Sequence, residues 1–451
     1  MSISRSRTIA PYVVVLGLAA AVTSFVANRC SAAPPRTDKG ADAAQMDSWW
    51  FDLEKDEAAA SRALLELADR AKNAVPFLKG KMKPLRITSG QAKALLLKLN
   101  SADEHLWKTA FEELEYFDPR LAIELPEMMD RVTQAPARQR LVELMSERAA
   151  GSLAGKEINL NPVGEGYNFV SQGVGSWWAE PKVAQLNSTR WGNTKRKWTR
   201  AERAIVVLEH IGTPEAISIL RDMATGHPDA QPTRVAKEAL TRAASGRKDL
   251  DACWADLEKG EVDASLALFE LYDRAQDAIP ILKARMKPLS ISSHQVKALL
   301  GKLGSTDEQT WKPAFEELEY FDPRLAIGLA DLMEQVIETP ARQRMVEVLS
   351  ERQAGSLGEQ PIKLWSGGGF FNFNGQRGSW WAEHQVSRIN SESWATVKRK
   401  WTRAERAIVL LEHVRTPEAI TILKDMATGH PEAQPTRIAR EALAKIDAKS
   451  K

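Results

Sequence analysis

Apolar positions along this chain recur at three- and four-residue steps. Between Ala58 and Leu78 the series Leu64, Leu67, Ala68, Ala71, Ala74, Val75 and Leu78 keeps to one face of a helical period and does not alternate as a strand would. Ala201, Ala204, Ile205, Leu208 and Ile211 form a second stripe. Helix starts are written beside these stripes. Thr213-Pro214-Glu215 supplies a capping hydroxyl, a proline at the first helical position and an early acid, and Asp118-Pro119 reads in the same way. Gly226 and Gly429 read as helix stops. Three segments repeat the order apolar helix, short turn, apolar helix: Leu64–Leu67 into Ala74–Leu78, Phe111–Leu114 into Ala122–Leu125, and Val206–Leu208 into Ala216–Leu220. A lone hairpin of this kind leaves its apolar face in water, so the hairpins must stack. The pattern predicts an all-α fold, an α-solenoid of paired helices.

The chain is also written twice. Trp50 and the acid-rich residues after it align with Trp254 at an offset of 204, and residues 110–123 recur unchanged at 314–327. Past the middle of the repeat the offset becomes 203, so that residues 195–206 recur at 398–409. Well over half of all positions match. The two copies run over 48–247 and 252–447, joined by a short junction.

Several duplicated motifs carry a likeness to a known family. They are the opening Trp-x-Asp-Leu before an Ala-rich helix, Ala74 to Lys79, Lys83-Pro84-Leu85, and above all Glu202 to Ala216, completed by Ala236 to Leu240. In these the chain resembles the bacterial HEAT-like (PBS-lyase-like) repeat module often appended to WD40 propellers. The resemblance implies an α-solenoid in two tandem modules and no enzymatic activity. Two departures stand out. No propeller precedes the module in this sequence. Gly212 is replaced by Arg415 in the second copy, so the turn there is not expected to keep a glycine-dependent geometry.

Composition changes this picture at the ends. Lys+Arg 62 against Asp+Glu 59 gives +3, but Arg5, Arg7 and Arg29 stand in the first 33 residues without one acid. Arg5 and Arg7, the uncharged run 9–27, and the small residues Ser31 to Ala33 form the three regions of a secretory signal peptide. Residues 1–33 are therefore expected to direct export to the periplasm, cell envelope or medium, followed by a polar linker over 34–47. The alternative is an uncleaved anchor, since the run 9–27 is long enough to span a bilayer. Cleavage takes the charge to zero and removes Cys30, one of two cysteines, leaving Cys253. A neutral body argues against nucleic acid as partner.

Candidate chemistry is sparse. Two pairs among the seven histidines are duplicated, His210 with His413 and His227 with His430, and neither has a second His or Cys at ligand spacing. No nucleophile elbow, phosphate loop or zinc-protease motif is present. The expectation is no catalytic residue, no cofactor and no metal. Two features rise above this background. Glycine-rich insertions at 151–176 and 355–379 interrupt the helical pattern with strand-like alternation, which predicts a small β-hairpin in each copy. Tryptophan also gathers beside cations: Trp177, Trp178, Trp191, Lys195, Arg196, Arg200 and Arg203, with Trp380, Trp381, Trp394, Lys398, Arg399, Arg403 and Arg406 in the second copy. Trp and Arg dominate binding hot spots, and guanidinium forks suit acidic groups. These residues are the candidate partner-binding site. The reading is an exported scaffold that binds a protein, with a cell-envelope glycan as the alternative ligand. Competing with both is the possibility that the tryptophans only pack the insertion onto the helices.

Overall fold

The computed structural model describes residues 43–123, 127–128, 131–145, 198–242, 248–328 and 401–449, with single positions between 332 and 348. The signal segment, both insertions and the predicted hairpins lie outside these residues.

The described residues are all-helical. The first copy runs α1 Ala43–Asp52, α2 Glu57–Asp69, α3 Ala71–Lys81, α4 Ser89–Lys98, α5 Glu104–Phe117, a 3-10 turn at Pro119–Leu121, α6 Ala135–Met145, α7 Thr199–Ile211, α8 Pro214–Met223 and α9 Gln231–Arg242. The second copy follows with α10 Leu250–Asp256, α11 Glu261–Asp273, α12 Ala275–Arg285, α13 Ser293–Leu303, α14 Glu308–Phe321, a 3-10 turn at Pro323–Leu325, α15 Thr402–Val414, α16 Pro417–Ala427 and α17 Gln434–Lys449. No helix among the described residues is long and apolar enough to cross a membrane.

Local chemistry sets the boundaries. Asp56 accepts a hydrogen bond from the Ala59 amide at 3.0 Å to start α2, and Thr213 and Thr416 cap α8 and α16 before Pro214 and Pro417 as the sequence predicts. Thr88 and Gln91 close a reciprocal capping box on α4, matched by Ser292 and Gln295 on α13, which satisfies two amides that the helix leaves open. The stripe from Ala58 to Leu78 is two helices joined by a turn, as its hairpin pattern predicts, with the break at Arg70, which leaves helical geometry at φ −112° and ψ 41°. Helix α1 begins at Ala43, so residues 43–47 of the expected linker belong to it, and Met46 is buried.

Three expectations change. Asp118-Pro119 opens a 3-10 turn and not an α-helix: Asp118 sits at φ 56° and its buried carboxylate accepts from the Arg120 amide and the Arg120 Nε, both at 2.9 Å. Gly226 follows the end of α8 without a left-handed turn. It is glycine because a Cβ there would lie 2.9 Å from the Leu85 amide nitrogen, where the His227 amide donates to the Leu85 carbonyl at 2.8 Å. Arg415 takes the left-handed conformation after all, at φ 57° against 63° for Gly212. Thr416 caps α16 and Pro417 opens it, so α15 has to end at this point and the arginine accepts the strain.

Three packing layers result. Satellite cores form under α4 and α5 around Leu96, Leu99 and Leu114, and under α13 and α14 around Leu300, Leu303 and Leu318. A smaller knot ties the extended segment 82–88 to the rest: Leu85, Leu121 and Trp198 pack together, and Leu289, Leu325 and Trp401 do so in the second copy. Trp198 precedes α7 in the left-handed region, φ 64°, and its indole donates to the Tyr116 carbonyl at 2.6 Å. Tyr116 in turn donates to the Lys83 carbonyl at 2.7 Å and accepts from the Lys83 amide at 2.8 Å. The third and largest core is shared. It joins Leu64, Leu67, Ile205, Leu208, Leu268, Leu271, Ile408 and Leu411, so residues of both copies lie in one apolar interior.

Arg415→Gly relieves a left-handed side chain that costs roughly 1–2 kcal/mol and gives up one hydrogen bond, from Arg415 Nε to the Glu412 carbonyl at 3.1 Å. Denaturant unfolding is expected to show a gain of about 0.5–1 kcal/mol; a loss would contradict the strain. Burial pushes the Tyr116 and Tyr320 hydroxyls up to about 12 from an ordinary value of 10.0. The folded pKa lies above the unfolded one, so this contribution is whole below pH 10 and is lost as pH climbs towards 12. An ultraviolet titration is expected to show these two tyrosines ionising together with the loss of helical circular dichroism.

Candidate functional site

The candidate residues divide by where they fall. Trp177, Trp178, Trp191, Lys195, Arg196, Trp380, Trp381, Trp394, Lys398 and Arg399 lie outside the described residues. Arg200, Arg203, Arg403 and Arg406 are described, and all four are engaged within the protein.

Arg203 and Arg406 stand on α7 and α15 and meet at the centre. Arg203 Nη2 pairs with Glu57 at 3.2 Å and also with Glu261. Arg406 Nη2 pairs with Glu57 at 2.6 Å and reaches Glu261 at 3.8 Å. The two arginine side chains are only 3% and 5% exposed. Glu57 and Glu261 occupy the same place in the two copies, at the first turns of α2 and α11, where a negative charge also suits the helix dipole. The remaining guanidinium donors close the preceding helices. Arg203 Nη1 donates to the Leu53 carbonyl at 2.6 Å, just past α1, and Arg406 Nη1 donates to the Leu257 carbonyl, just past α10. One neutral quartet thus fixes six helices from both copies. The sequence counts Arg203 among the cations of the candidate partner-binding site; the structure turns it inward because two carboxylates and a helix end wait there.

Arg200 and Arg403 lie nearer the surface. Arg200 pairs with Glu54 and lies over Trp50 and Phe51, 5.3 and 5.0 Å from the ring centroids. Arg403 pairs with Glu258 and lies 5.3 Å from Trp254. Trp50 and Trp254 are buried. Trp107 is half-buried and roofed by Arg140 at 3.8 Å; Trp311 and Arg344 repeat this at 3.9 Å.

A second polar cluster lies where α2 meets α15. Asp69 Oδ2 is 3.0 Å from His413 Nε2, Tyr272 donates to Asp69 Oδ1 at 2.7 Å, and the Tyr272 and His413 rings meet edge to face at 5.2 Å. Nearby, Arg62 Nε donates to Glu412 at 2.8 Å. The matching place, where α7 meets α11, holds His210 stacked on Phe269 at 4.1 Å, with Asp273 at 3.8 Å. His210 ends its helix as expected, but its partner comes from the other copy. His227 and His430 sit in turns, and Nδ1 of each accepts from the backbone amide two residues on. Cys253 is buried where the first copy has Trp49. Burial first, and then the charge of Glu270, pushes its thiol up to about 11, so it stays protonated. Among the described residues no group of three or more His, Cys, Asp or Glu could hold a metal ion.

Sequence reading missed Glu57, Glu261, Asp69, Tyr272 and Arg62. A signal existed for the first three: each is an acid kept at the same place in both copies. Tyr272 and Arg62 had none, since Ala68 and Leu266 replace them.

Comparison of the chain with protein-family models, with curated proteins and with solved structures returns no match.

Arg203→Ala leaves Glu261 and Glu57 with one cation between them and the end of α1 without its donor. Breaking a buried pair from one side costs about 3–5 kcal/mol, and that loss is expected in denaturant unfolding. Arg200→Ala, on a pair 22% and 29% exposed, is expected to cost about 1 kcal/mol or less. Equal losses would contradict the central place of the quartet.

Proposed function

We propose that the chain is an exported, non-enzymatic scaffold that binds a protein partner, built as an α-solenoid from HEAT-like helix hairpins in two tandem modules. Export rests on the pattern of residues 1–33. The solenoid reading is supported by the succession of short paired helices and by the motifs shared with the HEAT-like module. The absence of activity rests on the sequence, which carries no catalytic motif.

The observation that carries partner binding is a difference between the copies. Among the described residues, the large apolar side chains that stand exposed are Phe51, Leu97 and Leu106, at 52%, 54% and 48%. Their counterparts in the second copy are Ala255, Gly301 and Thr310. Leu97 and Leu106 belong to the packed hairpin α4–α5, whose core is otherwise closed. Isolated exposed leucines need no explanation. Here three apolar residues occur in one copy only, at places where the other copy does without them. The α4–α5 hairpin of the first copy then docks a partner with an apolar patch of its own.

Leu97→Glu with Leu106→Glu tests this. Both side chains are exposed, so stability should change by no more than about 0.5 kcal/mol each. In co-purification after cross-linking of the exported protein, the variant is expected to lose the partner that the parent chain retains. Retention at the parent level would overturn the assignment.

A further inference from the structure

The surface joining the two copies obeys a reciprocal rule. Helix α2 of the first copy packs on α15 of the second, and α7 of the first packs on α11 of the second. In repeat terms these are one contact made twice, since α11 is the counterpart of α2 and α15 that of α7. The polar contacts obey the same rule. Glu57 takes Arg406 while Glu261 takes Arg203, and Asp69 takes His413 while Asp273 faces His210. Residue i meeting j′ while j meets i′ is the mark of an isologous interface, the kind that a closed homodimer makes. This interface is also the shared apolar core, not a polar seam.

We infer that the α2–α7 face is a self-recognition surface: a half of this chain pairs with another half of the same kind, and the two copies are a two-fold dimer carried on one polypeptide. The inference is independent of the partner-binding proposal, which concerns a different hairpin.

The face has diverged, and the divergence ranks the pairs. Arg62 of the first copy donates to Glu412 of the second. The reverse contact is missing, because Leu266 stands where Arg62 would and Glu209 is met by Arg242 at 3.0 Å from its own copy. A pair of two first halves places an Arg62 beside each Glu209. A pair of two second halves places Leu266 beside each Glu412, a carboxylate only 10% exposed, with Lys445 in place of Arg242. First–first pairs are therefore favoured over second–second pairs, while the quartet is complete in both, since Glu57, Glu261, Arg203 and Arg406 are identical in type.

The test uses the whole chain with a protease site inserted just before the junction of the two copies, between Ser245 and Arg247. The folded protein is cut, unfolded, refolded as the mixture of halves and weighed by native mass spectrometry, where the masses of the halves separate the three pairs. First–second, first–first and second–second pairs are all expected, with first–first exceeding second–second by roughly three- to thirtyfold, the effect of two partly buried ion pairs. Arg62→Leu is expected to bring the two like pairs level. Recovery of first–second pairs alone, or of unpaired halves, would overturn self-recognition. An excess of second–second pairs, or a ratio that Arg62→Leu leaves unmoved, would overturn the role given to Arg62.

Discussion

Two arginines are held out of water where the copies meet, each against two half-buried glutamates, and much of the architecture is arranged to make that tolerable. A charge removed from water needs both a counter-charge and a hydrogen bond for each remaining donor. Arg203 and Arg406 obtain the first from Glu57 and Glu261 and the second from the chain ends past α1 and α10. Each supplier is a helix terminus, so positions of termini, and not only of faces, are set by the quartet. The apolar core around it then has a fixed registry between copies, which apolar contacts alone would leave loose.

Away from this centre the copies settle local needs in duplicate. The extended segment 82–88 is tied down by Tyr116, by the His227 amide and by Trp198, and the second copy uses Tyr320, His430 and Trp401 for the same ends. Left-handed residues recur at matched places: Asp118 with Asp322, Trp198 with Trp401, Gly212 with Arg415. Strain of this kind persists where surrounding packing over-determines it, and the buried indoles and carboxylates supply that packing. The copies differ at many other places, among them Arg62 against Leu266, Ala68 against Tyr272, and the exposed leucines of α4 and α5.

Helix identity was legible because periodicity is local. Stripes such as Ala201 to Ile211 and caps such as Thr213-Pro214 state their element within a dozen residues. Boundaries were less so: Asp118-Pro119 reads like a helix start although the buried Arg120 makes it a tight 3-10 turn. The basic residues after Trp198 were legible as a cluster but not as to where they point. Arg200 and Arg203 are three residues apart on one helix, yet one lies over Trp50 and the other enters the core.

The amino-acid sequence by itself determined the helices of the described residues and the duplication of the chain, with its caps, its turn prolines and its lack of a catalytic motif, because each of these is settled by neighbours in the chain. The tertiary structure decided what the duplicated charges do. Glu57 and Arg406 lie 349 residues apart, and only folding brings them within an ion-pair distance. The same residues would be solvated and of little energetic consequence on isolated helices; enclosed together, they become the point on which the two copies are joined.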